Sequence, residues 1–204
     1  MQDKEVINIL QKHLNFTTKS IVALKIFVDA LINANKKHNF ISKSTEADIW
    51  HRHVLDCAQL VKFIDFSGGS LSDLGSGAGF PGLVLAIFNS NKDFHVKLYE
   101  KSPVKRAFLR EISQRLFIKV EIKGNLYEEI IDTDYVVSRA FKKFEFIIQV
   151  SREIVKKSHK LIVLKGQNAQ EDIKKAFKKE KYAYKLEDSI TNKDSKIIIV
   201  DLKK

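Results

Sequence analysis

The sequence predicts an α/β fold. A mostly parallel seven-stranded sheet carries helices on both faces, ends in an antiparallel C-terminal hairpin, and follows an N-terminal helical extension. Three observations predict it. Residues 4 to about 64 read as helices. Beyond residue 70, short apolar runs alternate with helical patterns at the spacing of right-handed crossovers in a parallel sheet. The last two strand-like runs are joined by a short polar loop, which reads as a hairpin. At 204 residues the chain suits one integrated domain, divided into a helical extension (1–66) and a core (67–204).

The elements follow in order. Ile21, Leu24, Val28 and Leu31 recur at three- and four-residue steps and mark one buried helix face. Thr17, Thr18 or Ser20 can cap its start, and Lys36-Lys37-His38-Asn39 breaks it. Ser44 or Thr45, followed by Glu46 and Asp48, opens a second helical segment through Val54, Leu55, Ala58 and Val61. Ser67-Gly68-Gly69-Ser70 is a turn. Strands are predicted at 70–74, 94–99, 119–122, 134–138, 159–165, 181–187 and 196–202. Helices are predicted at about 82–89, 103–116, 126–131, 144–157 and 169–179.

Bulk properties narrow the function classes. The hydrophobic fraction of 44% and charged fraction of 30% are those of a globular protein with a core. A formal charge of +11 favours a polyanionic partner, since phosphate contacts release counterions, although Lys-rich composition also arises as surface drift. Cys57 is the single cysteine, which excludes an internal disulfide framework and suits a reducing cytosol. Met1-Gln2-Asp3-Lys4-Glu5 does not have the pattern of a signal peptide, and no apolar run approaches the roughly 18 residues of a membrane span. A cytoplasmic monomer without membrane or metal is expected. His51 and His53 could be read as a metal pair, but no acidic or cysteine set completes it.

The segment richest in chemistry is Leu71-Ser72-Asp73-Leu74-Gly75-Ser76-Gly77-Ala78-Gly79-Phe80-Pro81-Gly82. A strand ends at Asp73-Leu74, glycines follow at alternate positions, and a helix begins near Pro81. Gly77 to Gly82 satisfies the dinucleotide pattern G-x-G-x-x-G. That register starts two residues late, however, and puts Pro81, which has no amide hydrogen, where a phosphate would bind. The D-x-G-x-G-x-G register fits better. S-adenosylmethionine carries an ammonium and a sulfonium and no phosphate, and Asp73 suits that positive character directly or through water. Glu100 ends the next strand, 25 residues after Gly75, where a carboxylate can accept both ribose hydroxyls of an adenosine. A Rossmann-like class I methyltransferase fold is therefore expected, with Asp73, Gly75, Ser76, Gly77, Gly79, Phe80 and Glu100 at the cofactor. Phe80 would either contact adenine or the target base, or pack.

Several segments together resemble the bacterial glucose-inhibited division protein B family, guanine-N7 methyltransferases of small-subunit (16S) ribosomal RNA. Asn39-Phe40-Ile41-Ser42 resembles the family's N-L-T-S-type motif, and Arg52-His53-Val54-Leu55-Asp56-Cys57 its R-H-x-L-D-S motif, with Cys57 in place of Ser. Asp73 to Gly82 is similar to its glycine loop, and Lys105-Arg106-Ala107-Phe108-Leu109 to its K-R-x-x-F-L helix. Val137-Ser138-Arg139-Ala140-Phe141 resembles its S-R-A motif, and Leu164-Lys165-Gly166 its L-K-G motif. Asp194-Ser195-Lys196 stands where the family often has a G-x-R-x-L-V-type run.

The resemblance implies transfer of a methyl group from S-adenosylmethionine to guanine N7 of 16S ribosomal RNA or of the small subunit. N7 already carries an in-plane lone pair. Direct in-line attack then needs no general base, and catalysis rests on positioning and on tolerating a cationic base. Arg139, after the fourth parallel strand, is the residue expected to position the cofactor's methionine end or the RNA; an ordinary salt bridge is the plain alternative. Asn39, His53, Asp56 and Lys165 are expected on the substrate side, with His53 and Asp56 touching across one helical face. Lys105, Arg106, Arg110 and Arg115 would meet RNA phosphate or water. Two other readings stay open. A nicotinamide-dependent oxidoreductase would need a proton donor that the pattern does not supply. A non-enzymatic RNA-binding factor on the same fold would have no need to keep both Asp73 and Glu100.

Overall fold

A computed structural model describes residues 1–139, 142–178 and 182–204. Ala140 and Phe141 of the S-R-A segment, the predicted helix end at 179 and the predicted strand start at 181 lie outside the described residues.

Helix α1 (Asp3–His13) opens with a capping box, in which the Gln2 amide donates to Glu5 Oε2 at 3.0 Å. Helix α2 (Thr18–Asn35) is capped by Thr17, whose hydroxyl accepts from the Ser20 amide at 3.1 Å. Its face of Ile21, Leu24, Phe27, Val28 and Leu31 is buried. The second predicted helical segment is wound differently from expectation. After the single turn α3 (Lys43–Glu46) come a π-helical turn (Trp50–Leu55), α4 (Asp56–Ala58) and a 3-10 turn (Gln59–Phe63). Trp50, Val54, Leu55, Cys57, Ala58 and Leu60 all go inside, more of the circumference than one α-helical stripe covers.

The sheet contains β1 (Gly69–Leu74), β2 (Phe94–Tyr99), β3 (Glu121–Lys123), β4 (Tyr135–Arg139), β5 (His159–Lys165), β6 (Ala183–Asp188) and β7 (Lys196–Leu202). Their spatial order is β3-β2-β1-β4-β5-β7-β6. The first five are parallel; β7 runs antiparallel to both β5 and β6. Helices α5 (Gly82–Phe88), α6 (Pro103–Arg115), α7 (Phe144–Ile154) and α8 (Ala169–Ala176) make the crossovers. The chain leaves β1 toward β2 and β3, then returns to β4 on β1's other side. The crevice at the carboxyl ends of β1 and β4 is therefore a topological switch point, the place where such sheets bind ligands.

Two predicted elements change. β3 pairs only with Lys97–Tyr99 of β2, and Lys119 and Val120 stay outside it. The predicted helix at 126–131 is a single 3-10 turn (Leu126–Glu128), because Ile131 is drawn into a parallel bridge with Val155 and its N–H donates to the Ile154 carbonyl at 2.7 Å.

One apolar cluster joins α1, α2 and the turns after them to one sheet face, through Leu71, Val96, Leu98, Val137, Ile162 and Ile199. A second cluster fills the other face beneath α7 and α8. The N-terminal helices thus share a core with the sheet. No helix among the described residues is long and apolar enough to cross a membrane.

Among the glycines, Gly82 has the least room for a side chain. A Cβ there would stand 2.4 Å from Leu98 Cδ2 and 2.6 Å from Asp73 Oδ2. Gly82→Ala is therefore expected to destabilise the protein by roughly 1–3 kcal/mol, through overpacking of a site with no room to give. Denaturant unfolding of the variant checks this, and an unchanged midpoint would refute the contact.

Candidate functional site

The glycine loop is closed on itself by backbone hydrogen bonds. The Gly75 and Ser76 amides donate to the Tyr99 carbonyl at 2.9 and 3.0 Å. Those of Gly79 and Phe80 donate to the Ser76 carbonyl at 2.8 and 3.0 Å. The Gly77 amide donates to Glu100 Oε2 at 2.9 Å, and the Gly82 amide to Asp73 Oδ2 at 2.9 Å. Gly79 sits at φ +110°, a region open to glycine, with Leu83 and Phe27 3.0–3.2 Å from any Cβ added there. Pro81 precedes α5 as its N-cap and does not occupy the first turn.

These bonds give Asp73 a part in shaping the loop. Its carboxylate is fully buried beneath the loop, and one oxygen holds the start of α5 through Gly82. The other oxygen, Oδ1, has no hydrogen-bond partner, and burial pushes the carboxyl up to about 7 against the opposing pull of the Gly82 amide, Ser76 and Arg139. Asp73 does not line the pocket wall; it shapes the loop that does.

The pocket is a cavity of about 760 Å³ at the switch point. Gly75, Ser76, Gly77, Ala78 and Phe80 form one wall, and Tyr99, Glu100, Lys101 and Lys105 another. Thr45, Arg52, His53, Asp56, Arg139 and Lys142 form the rim toward the helical extension. Glu100 stands at the wall with Oε1 accepting from the Ser102 amide at 2.7 Å and Oε2 from Gly77. Each oxygen keeps lone-pair capacity for a further donor. A Cβ on Gly77 would meet nothing closer than 3.9 Å, so this wall is bare backbone facing open space.

Arg139 gathers the rim. Its Nη2 lies 2.7 Å from His53 Nδ1, its Nη1 donates to the Arg52 carbonyl at 3.1 Å, and Nη1 is 3.6 Å from Asp56 Oδ2. Its guanidinium carbon lies 5.0 Å from the Phe80 ring centroid, a contact worth about 0.5–2 kcal/mol. Guanidinium has only donors, so His53 Nδ1 must accept and the ring proton sits on Nε2, which reaches Thr45 Oγ1 at 2.9 Å. Burial first, then the charges of Arg139 and Arg52, push His53 down to about 3. His53 is thus a neutral acceptor throughout the physiological range.

The remaining expectations divide. His53 and Asp56 stand at a π-helical turn rather than on one α-helical face, and both side chains meet Arg139. Asn39 is exposed and is not brought to the pocket. Asn35, four residues earlier, is buried and accepts from the Phe40 and Ile41 amides at 2.9 and 3.1 Å, which sets the pocket-lining pair Phe40-Ile41. Its sequence signal was a polar residue at the next position of α2's apolar face. Lys165 lies in an adjoining groove that shares Asp56, Arg139 and Lys142 with the pocket, where it pairs with Asp172 at 2.6 Å. Arg106 turns inward onto the Glu100 and Lys101 carbonyls, while Lys105 reaches the pocket. Phe80 both packs on Phe27 and lines the cavity. Tyr127, half exposed at the mouth, had no distinguishing sequence context. Cys57 is fully buried, and burial pushes its thiol up, so it behaves as a small apolar residue.

Comparison with known proteins gives a consistent result. Residues 20–198 match the GidB family, described as rRNA small subunit methyltransferase G. A protein named ribosomal RNA small subunit methyltransferase G from Pelagibacter ubique is 31% identical over 201 residues, covering 96% of this chain and 93% of the relative. One of the same name from Rickettsia typhi is 35% identical over 182 residues, 89% of this chain and 93% of its own length. Among solved structures, a putative S-adenosyl-L-methionine-dependent methyltransferase from Methanococcus maripaludis superposes with TM-score 0.56 at 17% identity, over 84% of this chain and 93% of that one. TYW2 of M. jannaschii, solved in complex with AdoMet, gives 0.50 at 18% identity, over 69% and 70%. At such identities the likeness concerns the fold: a Rossmann-like class I methyltransferase fold with a mixed seven-stranded sheet.

The buried Asp73 carboxyl yields a pH signature. Its folded pKa lies above the ordinary carboxylate value, so the folded state holds this proton to higher pH than the unfolded chain. Its contribution is fully present below the ordinary carboxylate range and is lost as pH rises through about 7. Asp73→Asn keeps an acceptor for Gly82 and removes the titration. Stability of the natural protein should fall relative to Asp73→Asn between about pH 4 and 7. Parallel pH–stability profiles for the two would sink the assignment.

Proposed function

This chain belongs to the GidB family of small-subunit ribosomal RNA methyltransferases, and from that premise we propose that it transfers the methyl group of S-adenosylmethionine to N7 of a guanine in 16S ribosomal RNA. The observation that carries the cofactor side of this reading is the inward-turned glycine loop. The amides of Gly75, Ser76, Gly77, Gly79, Phe80 and Gly82 are all spent within the protein, and Pro81 has none. A pyrophosphate, which needs free amides at a helix start, is poorly served there and would face the Glu100 carboxylate. The nicotinamide reading loses its anchor. A nucleoside bearing positive charge and no phosphate fits the same wall: Glu100 has capacity for ribose hydroxyls, and the bare Gly77 backbone leaves room against it.

S-adenosylmethionine, when bound, supplies an electrophilic methyl group on a sulfonium. The chain's own part is to orient and to tolerate charge. Glu100 and the Gly75–Gly77 wall hold the nucleoside end. Arg139, its guanidinium fixed by His53, Asp56 and the Arg52 carbonyl, borders the far end of the cavity and positions the reactants. With that methyl group presented at the Arg139 end, guanine N7 would accept it through its own lone pair, the sulfonium would become a neutral thioether, and the positive charge would pass to the base. No residue has to remove a proton. His53, neutral and committed to Arg139 and Thr45, is not asked to. Asp56 and the exposed Lys101 and Lys142 face the RNA side, and Lys165 extends it along the adjoining groove. The basic excess of the chain suits that partner. We further propose that the enzyme works as a cytoplasmic monomer.

Two measurements test this reading. In calorimetric titration, S-adenosylhomocysteine should bind where NADH does not, and Glu100→Ala should weaken that binding by about 1–3 kcal/mol through lost charge-assisted hydrogen bonds. Unaltered affinity in the variant would remove Glu100 from the site. RNA methylated by the protein should become cleavable by borohydride and aniline at one guanine. Label found on an exocyclic amine, a base carbon or ribose would overturn the N7 assignment.

A further inference from the structure

The loop joining β6 to β7 is 135 residues from Asp56 in sequence, yet it is hydrogen-bonded to the rim of the pocket. Thr191 Oγ1 lies 2.8 Å from Asp56 Oδ1. Gln59, one turn after Asp56 and 1% exposed, is clasped by the same loop. Its Nε2 donates to Ser189 Oγ at 3.0 Å, and its Oε1 accepts from the Ile190 amide at 2.9 Å. The same Nε2 also reaches Asp56 Oδ1 at 3.1 Å and the Asp56 carbonyl at 2.9 Å.

The proton directions follow from the donor inventory. A carboxylate only accepts, so Thr191 spends its single hydroxyl proton on Asp56. Across the 2.9 Å Ser189–Thr191 contact Ser189 must then be the donor. Ser189 Oγ in turn accepts from Gln59 and from the Thr191 amide at 3.2 Å. The result is a directed chain, Ser189 to Thr191 to Asp56. It occupies Asp56 Oδ1 and leaves Oδ2 turned to Arg139.

We propose that the β6–β7 loop is a positioning element of the methyl-transfer site, in which Thr191, with Gln59, fixes the Asp56 carboxylate so that Asp56 holds the Arg139 guanidinium at the pocket rim. Thr191 touches no reactant. It acts through Asp56 and Arg139, so the inference rests on the role given to Arg139 above. Without the Thr191 hydroxyl, Asp56 can rotate and Arg139 loses one of its fixed partners. The guanidinium then samples orientations that do not serve the reaction, and a small misplacement of a positioning group is costly in rate.

Thr191→Val removes the hydroxyl at nearly constant volume, and Thr191→Ser restores it. Turnover on small-subunit RNA should fall about 3- to 10-fold in Thr191→Val and return in Thr191→Ser. The KM for S-adenosylmethionine and the affinity for S-adenosylhomocysteine should stay within about twofold, because the Glu100 wall is untouched. Ser189→Ala removes the donor behind Thr191 without adding bulk. It should show the same rate-only loss, and it supplies the reading if Thr191→Val does not fold. Arg139→Ala is the comparator. If it is impaired while Thr191→Val and Ser189→Ala turn over like the natural protein, the loop's role is overturned and that of Arg139 stands. If Arg139→Ala itself keeps full turnover, both are overturned. Equal impairment of Thr191→Val and Thr191→Ser would also reject the hydroxyl's part.

Discussion

A single guanidinium ties together the polar groups of three parts of the chain that a shared apolar core brings side by side. Arg139 ends β4, at the carboxyl edge of the sheet, and from there reaches the Arg52 carbonyl, His53 and Asp56 in the helical extension and the Phe80 ring in the glycine loop. The group is planar, permanently charged and supplied with five donors, so it can satisfy several acceptors at once without titrating. Its neighbours adapt to it. His53 takes the tautomer that leaves Nδ1 as an acceptor, and burial, with the charge of Arg139 added, takes away its basicity. The wide π-helical turn supplies a carbonyl, an imidazole and, one residue beyond it, a carboxylate from five consecutive residues, on the side facing Arg139.

The glycine loop obeys a second constraint: its backbone is satisfied from within. Tyr99 and Ser76 carbonyls, the Glu100 carboxylate and the Asp73 carboxylate take up its amides. This turns most of the loop's amides away from the cavity, leaving a wall better suited to a cationic nucleoside than to phosphate. Two acids separated by one strand-helix-strand unit therefore do different work. Glu100 stands at the wall. Asp73 lies under it, unsolvated, with one oxygen unpartnered, and controls where α5 begins. Burial, more than any neighbouring charge, raises the Asp73 carboxyl.

Much of this was legible in the residues. Strands β2, β5 and β7 fall at the predicted positions, because alternating or continuous apolar runs bounded by turns have few other readings. The errors came where tertiary contacts override local pattern. Residues 126–131 have helical texture, but Ile131 gains more by bridging to Val155. The segment around His53 also has helical texture, but its apolar residues surround the axis and the winding changes to bury them. Lys165, expected on the substrate side, also pairs with Asp172 in the helix that follows its strand, a contact with no signal in the local pattern.

What the sequence determined by itself is the class of ligand and the succession of strands and helices along the chain. Glycines at alternate positions between a strand and a helix, and an acid one crossover later, are local patterns, and local patterns survive in one dimension. What only the tertiary structure decided is which side chains act together. Arg139 meets His53 and Asp56 across 86 and 83 positions, and Asp56 meets Thr191 across 135. Asn39, prominent in its motif, is not brought to the cavity and Asp73 lies beneath its wall, while Thr45 lines it and Asn35 sets its edge. Hydrogen bonds and ion pairs depend on distances of about 3 Å. The packing of the helical extension on the sheet sets those distances, and they have no periodicity along the chain.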